Sequence, residues 1–186
     1  MADDFTYDAW MNQQDIPVHR GYFIEDLRDV ELGAWDLRGC QAAFIQLEGM
    51  PGVVEGRVQE IPPGGSIKPF KQAIDEMVYV VSGQGTASVW SAKDGREHTF
   101  EWSPRSLFLV PRNAWAQFNN MQGDRPVRLL HYNYLPIAMS AIPNPDFFFN
   151  NPYEEDVLKG EDFYSEAEAT TQEHVAEGAA GRTLWL

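Results

Sequence analysis

The chain has 186 residues, 44% hydrophobic and 13% aromatic, which suffices for one continuous buried core but not for two domains of ordinary size. Its 28 acidic and 14 basic residues give a formal charge of −14, which argues against nucleic-acid and anionic-membrane partners, because those partners bind clustered Lys and Arg. Cys40 is the single cysteine, which excludes an internal disulfide, and no stretch approaches the ~20 apolar residues of a membrane helix, so a soluble cytoplasmic protein is expected.

Residues 1–40 are predicted to form an N-terminal arm rather than part of the main core. Trp10 and Met11 lie in a short stretch with helix-like spacing. Pro17 and Gly21 then interrupt any long regular element. We therefore expect a short helix followed by irregular chain.

Residues 41–136 contain many short β-rich runs separated by turn signals. The runs include "VVEGRVQEI", "EMVYVV", "TASVWSA", "EHTFEW", "SLFLV", "WAQFNN" and "VRLLHYNYL", and the turns include "PPGG", "SGQG", "KDG" and "SPR". So many short strands at such close spacing are typical of a closed or sandwiched all-β architecture and not of a parallel α/β sheet. This segment is the predicted barrel.

Residues 137–186 form a predicted C-terminal extension of different character. Three consecutive phenylalanines, at 147–149, are expected to dock on the barrel or on another chain rather than lie bare in water. The acidic stretch "KGEDFYSEAEATTQEHVAEGAAGR" is interpreted as a solvated linker or a frayed helix. The closing "TLWL" is apolar again and suggests a terminal strand that needs a pairing partner.

Two segments of the predicted barrel carry residues whose order and spacing match known motifs. The first, "PPGGSIKPFKQAIDEMVYVVSGQG", contains Gly64, Glu76 and Gly83, and the second, "RSLFLVPRNAWAQFNN", contains Pro111 and Asn120. Both resemble the two sequence motifs of the cupin family. The resemblance implies an all-β cupin fold, that is, a double-stranded β-helix or jelly-roll barrel.

A more specific resemblance extends over most of the chain. The segments "IPVHRGYFIEDL", "IPPGGSIKP", "FEWSPRSLFLVPRNAWAQFNN" and "NPDFFFNN" are similar to the N-terminal half of two-barrel (bicupin) cupin proteins of uncertain function. In that group a second barrel follows a linker like the one at the end of this chain. The resemblance implies either a second cupin subunit on another chain or a homodimer.

The metal-binding positions of the family hold other residues in this chain. Cupin metal enzymes bind one cation through two His and a Glu of the first motif and a His of the second, whereas the matching residues here are Phe70, Gln72, Glu76 and Ala116. Phenyl and methyl groups do not coordinate metals, and one carboxylate does not hold a transition ion against water. A degenerate metal site and no cofactor are therefore expected. The alternative is Fe, Mn, Zn or Ni at a nonstandard site that uses His131.

Glu76 is nevertheless the predicted catalytic residue. A carboxylate that faces an apolar barrel interior should have a raised pKa unless Lys68, Lys71 or Gln72 satisfies it, and a raised pKa suits general acid or base work. The competing interpretations are that Glu76 is a hydrogen-bonded relic and that His131 is an ordinary core residue. The residues predicted to bind a small molecule in the barrel are Lys68, Phe70, Gln72, Phe118 and His131.

These observations leave more than one function open. The first is a small-molecule-binding or structural subunit, or half of a bicupin-like assembly, with a degenerate metal site. The alternative is an enzyme, resembling a dioxygenase, isomerase or decarboxylase, that acts on a small anionic or aromatic metabolite. A carbohydrate- or nucleotide-binding module has the least support from the residues.

Overall fold

The computed structural model shows a barrel made of short strands, as the sequence predicts. It describes residues 6–91, 95–154, 158, 164–167, 170–172 and 183–185. The elements in chain order are α1 (Thr6–Asn12), β1 (Val18–Gly21), β2 (Gly33–Trp35), β3 (Cys40–Leu47), β4 (Glu55–Ile61), β5 (Phe70–Lys71), β6 (Glu76–Ser82), β7 (Gly85–Trp90), β8 (Glu97–Trp102), β9 (Leu107–Val110), β10 (Trp115–Asn120), β11 (Val127–Asn133), α2 (Leu135–Ala141), α3 (Pro145–Phe149), β12 (Thr170–Gln172) and β13 (Thr183–Trp185).

Two sheets form the barrel. The larger has seven strands in the order β1-β3-β4-β11-β6-β9, with β2 paired to β3, and the smaller has the order β5-β10-β7-β8. Every pairing within these sheets is antiparallel except the one between β1 and β3. The predicted all-β architecture is therefore confirmed.

Side-chain alternation on β10 and β11 defines the interior. On β10, Ala116 and Phe118 are buried while their neighbours are half-buried, and on β11, Leu129 and His131 are buried in the same way. Alternate residues of a strand face opposite sides of a sheet, so these positions fill the space between the two sheets. The buried Phe118 ring contributes about 2–3 kcal/mol through burial of its apolar surface.

The turn between β6 and β7 explains the glycines of the first motif. Gly83 has φ +90°, and a Cβ at this position would lie 2.2 Å from Cγ1 of Val127. A Cβ on Gly85 would lie 2.1 Å from the carbonyl oxygen of Asn119. Only glycine fits both positions, because the turn needs a left-handed residue and then a close approach of two strands. The motif glycines thus serve the barrel whether or not a ligand is bound.

The N-terminal segment is more closely built into the barrel than an arm would be. Tyr7, Trp10 and Met11 of α1 are buried in the main core. The indole of Trp10 stacks on the ring of Phe149, with centroids 4.8 Å apart, and meets Phe44 edge to face. Apolar periodicity predicts this short helix, but it does not predict which surface of the barrel the helix covers.

The C-terminal extension is described in part. Phe148 is buried in the core and Phe149 packs beside it, while Phe147 is exposed. The terminal strand β13 pairs antiparallel with β12. Most of the predicted acidic linker, including His174, lies outside the described residues. No helix within the described ranges is long and apolar enough to cross a membrane.

Candidate functional site

Three neighbouring strands of the larger sheet place charged side chains inside the barrel. Strand β11 lies between β4 and β6. In this register His131 is opposite Arg57, and Asn133 is opposite Glu55. Glu76 begins β6 and reaches the same group of side chains. These five side chains, which we call the interior network, lie on the inward face of the sheet because their positions alternate along their strands.

Hydrogen bonds join all members of the interior network. The Nη2 of Arg57 donates to Oε1 of Glu76 at 2.7 Å, and its Nη1 donates to Oε1 of Glu55. The Nδ1 of His131 lies 2.9 Å from Oε2 of Glu76. The Nδ2 of Asn133 donates to Oε1 of both carboxylates at 3.1 Å. Both oxygens of Glu76 therefore have protein partners.

The network is closed to solvent from several sides. Glu76 and His131 each have 0% of their surface exposed, and Arg57 has 2%. The hydroxyl of Tyr7, from α1, donates to Oε2 of Glu55 at 2.9 Å and covers that end. Burial, together with the neighbouring Glu55 carboxylate, raises the pKa of Tyr7 far above its usual range, so the hydroxyl remains a donor.

The electrostatics of Glu76 differ from the sequence-based expectation. Burial acts to raise its pKa, but the positive Arg57, the hydrogen bond to His131 and the more distant Arg38 outweigh burial and hold the pKa well below its usual range. The expected raised pKa is therefore wrong, because the sequence did not reveal the guanidinium that pairs with Glu76. Glu76 is an ionised hydrogen-bond acceptor and is poorly suited to donate a proton near neutral pH.

His131 is held as a neutral ring. Burial lowers its pKa, and Arg57 and Arg38 lower it further, against the opposing effect of Glu76. The Nδ1 faces an ionised carboxylate, which assigns the proton to Nδ1 and the lone pair to Nε2. The buried Nε2 has no hydrogen-bond partner among the residues that the structure describes. The ring is tilted against Phe118, with centroids 5.9 Å apart.

The residues at the family's metal-binding positions do not fit a divalent transition ion. Phe70 and Ala116 are opposite each other in the register, but they offer only a phenyl and a methyl group. Gln72 is buried nearby and Glu76 is already saturated. Among the residues that the structure describes, no group of three or more His, Cys, Asp or Glu could hold a metal ion. The positive charge next to Glu76 comes instead from Arg57.

The structure separates the predicted ligand-binding residues into two groups. Phe70, Gln72, Phe118 and His131 all lie inside the barrel, with 3% exposure or less. The ring of Phe118 packs edge to face against Phe70, with centroids 5.6 Å apart. Lys68 is at the surface, where its Nζ donates to the carbonyl oxygen of Asp36 at 2.7 Å. A ligand would reach Lys68 without entering the barrel.

Sequence reasoning missed several residues of this region. Glu55, Arg57 and Gln59 alternate along β4 and are all buried, and that alternation in "EGRVQEI" was a usable signal of a polar inward face. Arg38 was also missed. It lies in the turn between β2 and β3, and nothing in the local sequence indicates that its side chain is buried.

Comparisons with known proteins bear on the fold. No family model matches the chain, and no curated protein matches its sequence. Solved structures do match, among them the Schizosaccharomyces pombe Cnp3 cupin domain, with 20% identity, a TM-score of 0.46 and coverage of 59% of this chain and 66% of that one. A Lactobacillus farciminis oxalate decarboxylase formate complex has 16% identity, a TM-score of 0.49 and coverage of 61% and 35%.

A third similar structure is that of Peruvianin-I, a cysteine peptidase from Thevetia peruviana latex, with 16% identity, a TM-score of 0.50 and coverage of 60% of this chain and 71% of that one. At such identities the likeness concerns the fold alone. The chain spans about two thirds of the Cnp3 cupin domain and about a third of the oxalate decarboxylase.

Proposed function

We propose that this chain, a cupin barrel by its strand topology and its two sequence motifs, works without a bound transition metal as a binding or structural subunit of an assembly. One observation carries the proposal. The carboxylate of Glu76, the remaining residue of the family's metal set, is fully buried and accepts hydrogen bonds from Arg57 and His131 on its two oxygens. The guanidinium of Arg57 supplies the positive charge that a metal ion would otherwise supply to this carboxylate.

Binding of a metal at Glu76 would break this arrangement. The ion would displace Arg57 from the carboxylate and leave a guanidinium buried without one of its two counter-charges. Breaking a buried ion pair in this way costs about 3–5 kcal/mol, which a site with a single available carboxylate does not recover. The hydrogen-bonded, metal-free state of the network is therefore favoured over a metal-bound state.

We expect the protein purified from cells supplied with Fe, Mn, Ni and Zn to contain far less than one equivalent of any of them. Its melting temperature is expected to be the same with and without a chelator, because no described residue loses a bond when metal is removed. Elemental analysis and thermal unfolding measure the two quantities. One equivalent of metal in the wild-type protein that is lost in Glu76→Gln would contradict the proposal.

The assembly that we propose is a homodimer formed through the outer face of the larger sheet. This outer strip consists of exposed apolar residues on β6, β9 and β11, namely Met77, Tyr79, Leu107, Leu109 and Tyr132. The register places Met77 opposite Leu109 and Tyr79 opposite Leu107, so the side chains adjoin one another. None of the five is charged. Two chains with a charge of −14 repel each other least across such a surface.

Replacing Leu109 with Glu is expected to convert the dimer into monomers, because the substitution puts a carboxylate at the centre of the outer strip. Light scattering behind a sizing column measures the mass. Val53→Glu is the matched control, since Val53 is equally exposed but lies in the turn between β3 and β4. A wild-type mass of one chain, or equal effects of the two substitutions, would refute the proposed interface.

An acid–base enzyme is the second candidate function. The observation in its favour is the orientation of His131, whose Nδ1 bonds to Glu76 while its Nε2 has no partner in the interior. A carboxylate–histidine pair of this kind suits proton abstraction from a small anionic or aromatic metabolite. The imidazole is fully buried, however, and the subunit role does not require access to it.

A further inference from the structure

Arg38 is a buried cation with no partner in the interior network. Its exposed fraction is 5%, and its Nε is sealed from solvent without a hydrogen-bond acceptor. No described carboxylate lies within salt-bridge distance of its guanidinium, whereas Arg57 contacts two. Buried guanidinium groups are normally paired with an acid or a ligand, because their desolvation is costly. The molecule does not supply that acid from its described residues.

The guanidinium of Arg38 is held in a fixed position. Its Cζ lies 4.2 Å from the centroid of the Phe70 ring and 5.5 Å from that of Trp35. The backbone on either side is also fixed, since the Arg38 nitrogen donates to the Trp35 carbonyl and its own carbonyl accepts from the Lys68 nitrogen at 2.7 Å. Aromatic faces and backbone bonds together preorganise the planar group for a partner.

The side-chain amide of Gln72 is a second buried donor without an acceptor among the described residues, and it follows Phe70 closely along the chain. Gln72 follows Phe70 by two residues, and both side chains are buried while Lys71 between them bonds outward to the carbonyl of Tyr153. The Nε2 of Gln72 is sealed from solvent without an acceptor. An acceptor that met Arg38 beside the Phe70 ring would therefore also be near this amide.

The local charge favours an anion. Arg57 and Arg38 both lie over the Trp35 ring, and the Cζ of Arg57 is 4.8 Å from the ring centroid. Arg57 forms ion pairs with the carboxylates of Glu55 and Glu76. Lys68, beside Arg38, bonds through Nζ to a carbonyl and not to a carboxylate. Burial first, and then repulsion by Arg57, lowers the pKa of Arg38 to about 10, so the guanidinium is still charged at neutral pH.

We propose that Arg38, Trp35, Phe70 and Gln72 form a binding site for a small organic carboxylate, whose two oxygens accept from the guanidinium and the amide. The planar fork of an arginine matches a carboxylate in this way. The aromatic walls favour an anion with an apolar body over a strongly hydrated phosphate. This proposal rests on the proposed function in one respect, namely that binding needs no metal.

Benzoate is the probe, with benzamide as its neutral isostere, and both are titrated into the full chain in the presence of a chelator. We expect benzoate to raise the melting temperature in a concentration-dependent manner and to give a binding isotherm by calorimetry, while benzamide gives neither. Arg38→Met is expected to abolish both effects. Arg20→Met, which removes an exposed guanidinium on β1, is the control and should retain them.

Without ligand, Arg38→Met is expected to melt at the same temperature as the wild-type protein or above it, because it removes an unpaired buried charge. A purely structural arginine would give a lower melting temperature. If Arg38→Met does not fold, Arg38→Lys keeps the charge but loses the fork, and it should bind benzoate about 10-fold more weakly.

Equal effects of benzoate and benzamide, or unchanged benzoate binding by the Arg38 variants, would overturn the carboxylate site. Absence of any benzoate effect would overturn it as well and would leave the metal-free function intact. A benzoate effect that appears only when metal replaces the chelator would instead overturn the metal-free function. The two proposals therefore fail in different ways.

Discussion

Replacing Arg57 with Met is expected to lower the free energy of unfolding by about 3–5 kcal/mol, the usual cost of breaking a buried ion pair from one side. The substitution leaves the carboxylates of Glu55 and Glu76 buried without their shared counter-charge. The methionine fills much of the volume, so the loss reports on charge more than on packing. This is the largest effect that we expect from a single substitution in the interior network.

Urea unfolding measures the loss, at fixed protein concentration because a dimer's stability depends on concentration. Arg125→Met is the matched control, since Arg125 pairs with Asp124 on the surface, where both side chains are exposed, and we expect no measurable change. Adding Glu55→Gln and Glu76→Gln to Arg57→Met should restore part of the stability by removing the unpaired charges. Equal effects of the Arg57 and Arg125 substitutions would show that the buried pairs do not hold the barrel.

The stability of the wild-type protein is expected to fall as the pH decreases below about 6.5, and His131→Gln is expected to remove that fall. The pKa of His131 is lowered in the folded state, so below the unfolded value of 6.5 the unfolded chain binds the proton more readily than the folded chain. Proton uptake therefore favours unfolding in this range. The slope for one proton is at most about 1.4 kcal/mol per pH unit.

Two carboxylates of the interior network also contribute, with opposite signs. The pKa of Glu76 is lowered, so its contribution to stability is also lost as the pH falls, through the range below its ordinary value of 4.5. Burial raises the pKa of Glu55, so its protonation in acid favours the folded state and offsets part of that loss. Urea unfolding between pH 7.5 and 5.5, compared between the wild-type protein and His131→Gln, therefore isolates the contribution of His131. Equal pH slopes of the two proteins would contradict the prediction.

The fold could be predicted from the sequence because its signals are local. The motif glycines fix a turn that tolerates no side chain, as Gly83 shows, and alternation along each strand places residues such as Ala116 and Phe118 inside. Each of these inferences needs only a few adjacent residues and the geometry of a strand.

The electrostatics of the candidate site could not be predicted, because they depend on which strands are neighbours. Arg57 meets Glu76 only because β11 brings β4 and β6 to either side of itself. A charged pair such as Glu55 and Arg57 on one strand is as typical of a solvated face as of a polar interior. The burial of Arg38 likewise depends on tertiary packing, because the rings of Trp35 and Phe70 cover its side chain.

The contact between α1 and α3 extends the core beyond the predicted barrel at both ends. Trp10 stacks on Phe149, and Tyr7 supplies the hydroxyl that completes the bonds of Glu55. A fragment cut at the predicted barrel limits, 41–136, would lose both and open the interior network to water. The main core includes residues from Tyr7 to Leu158. During synthesis, α1 has no complete docking surface until Phe149 has been made, because Trp10 packs against both Phe44 and Phe149. We therefore expect α1 to dock late in folding.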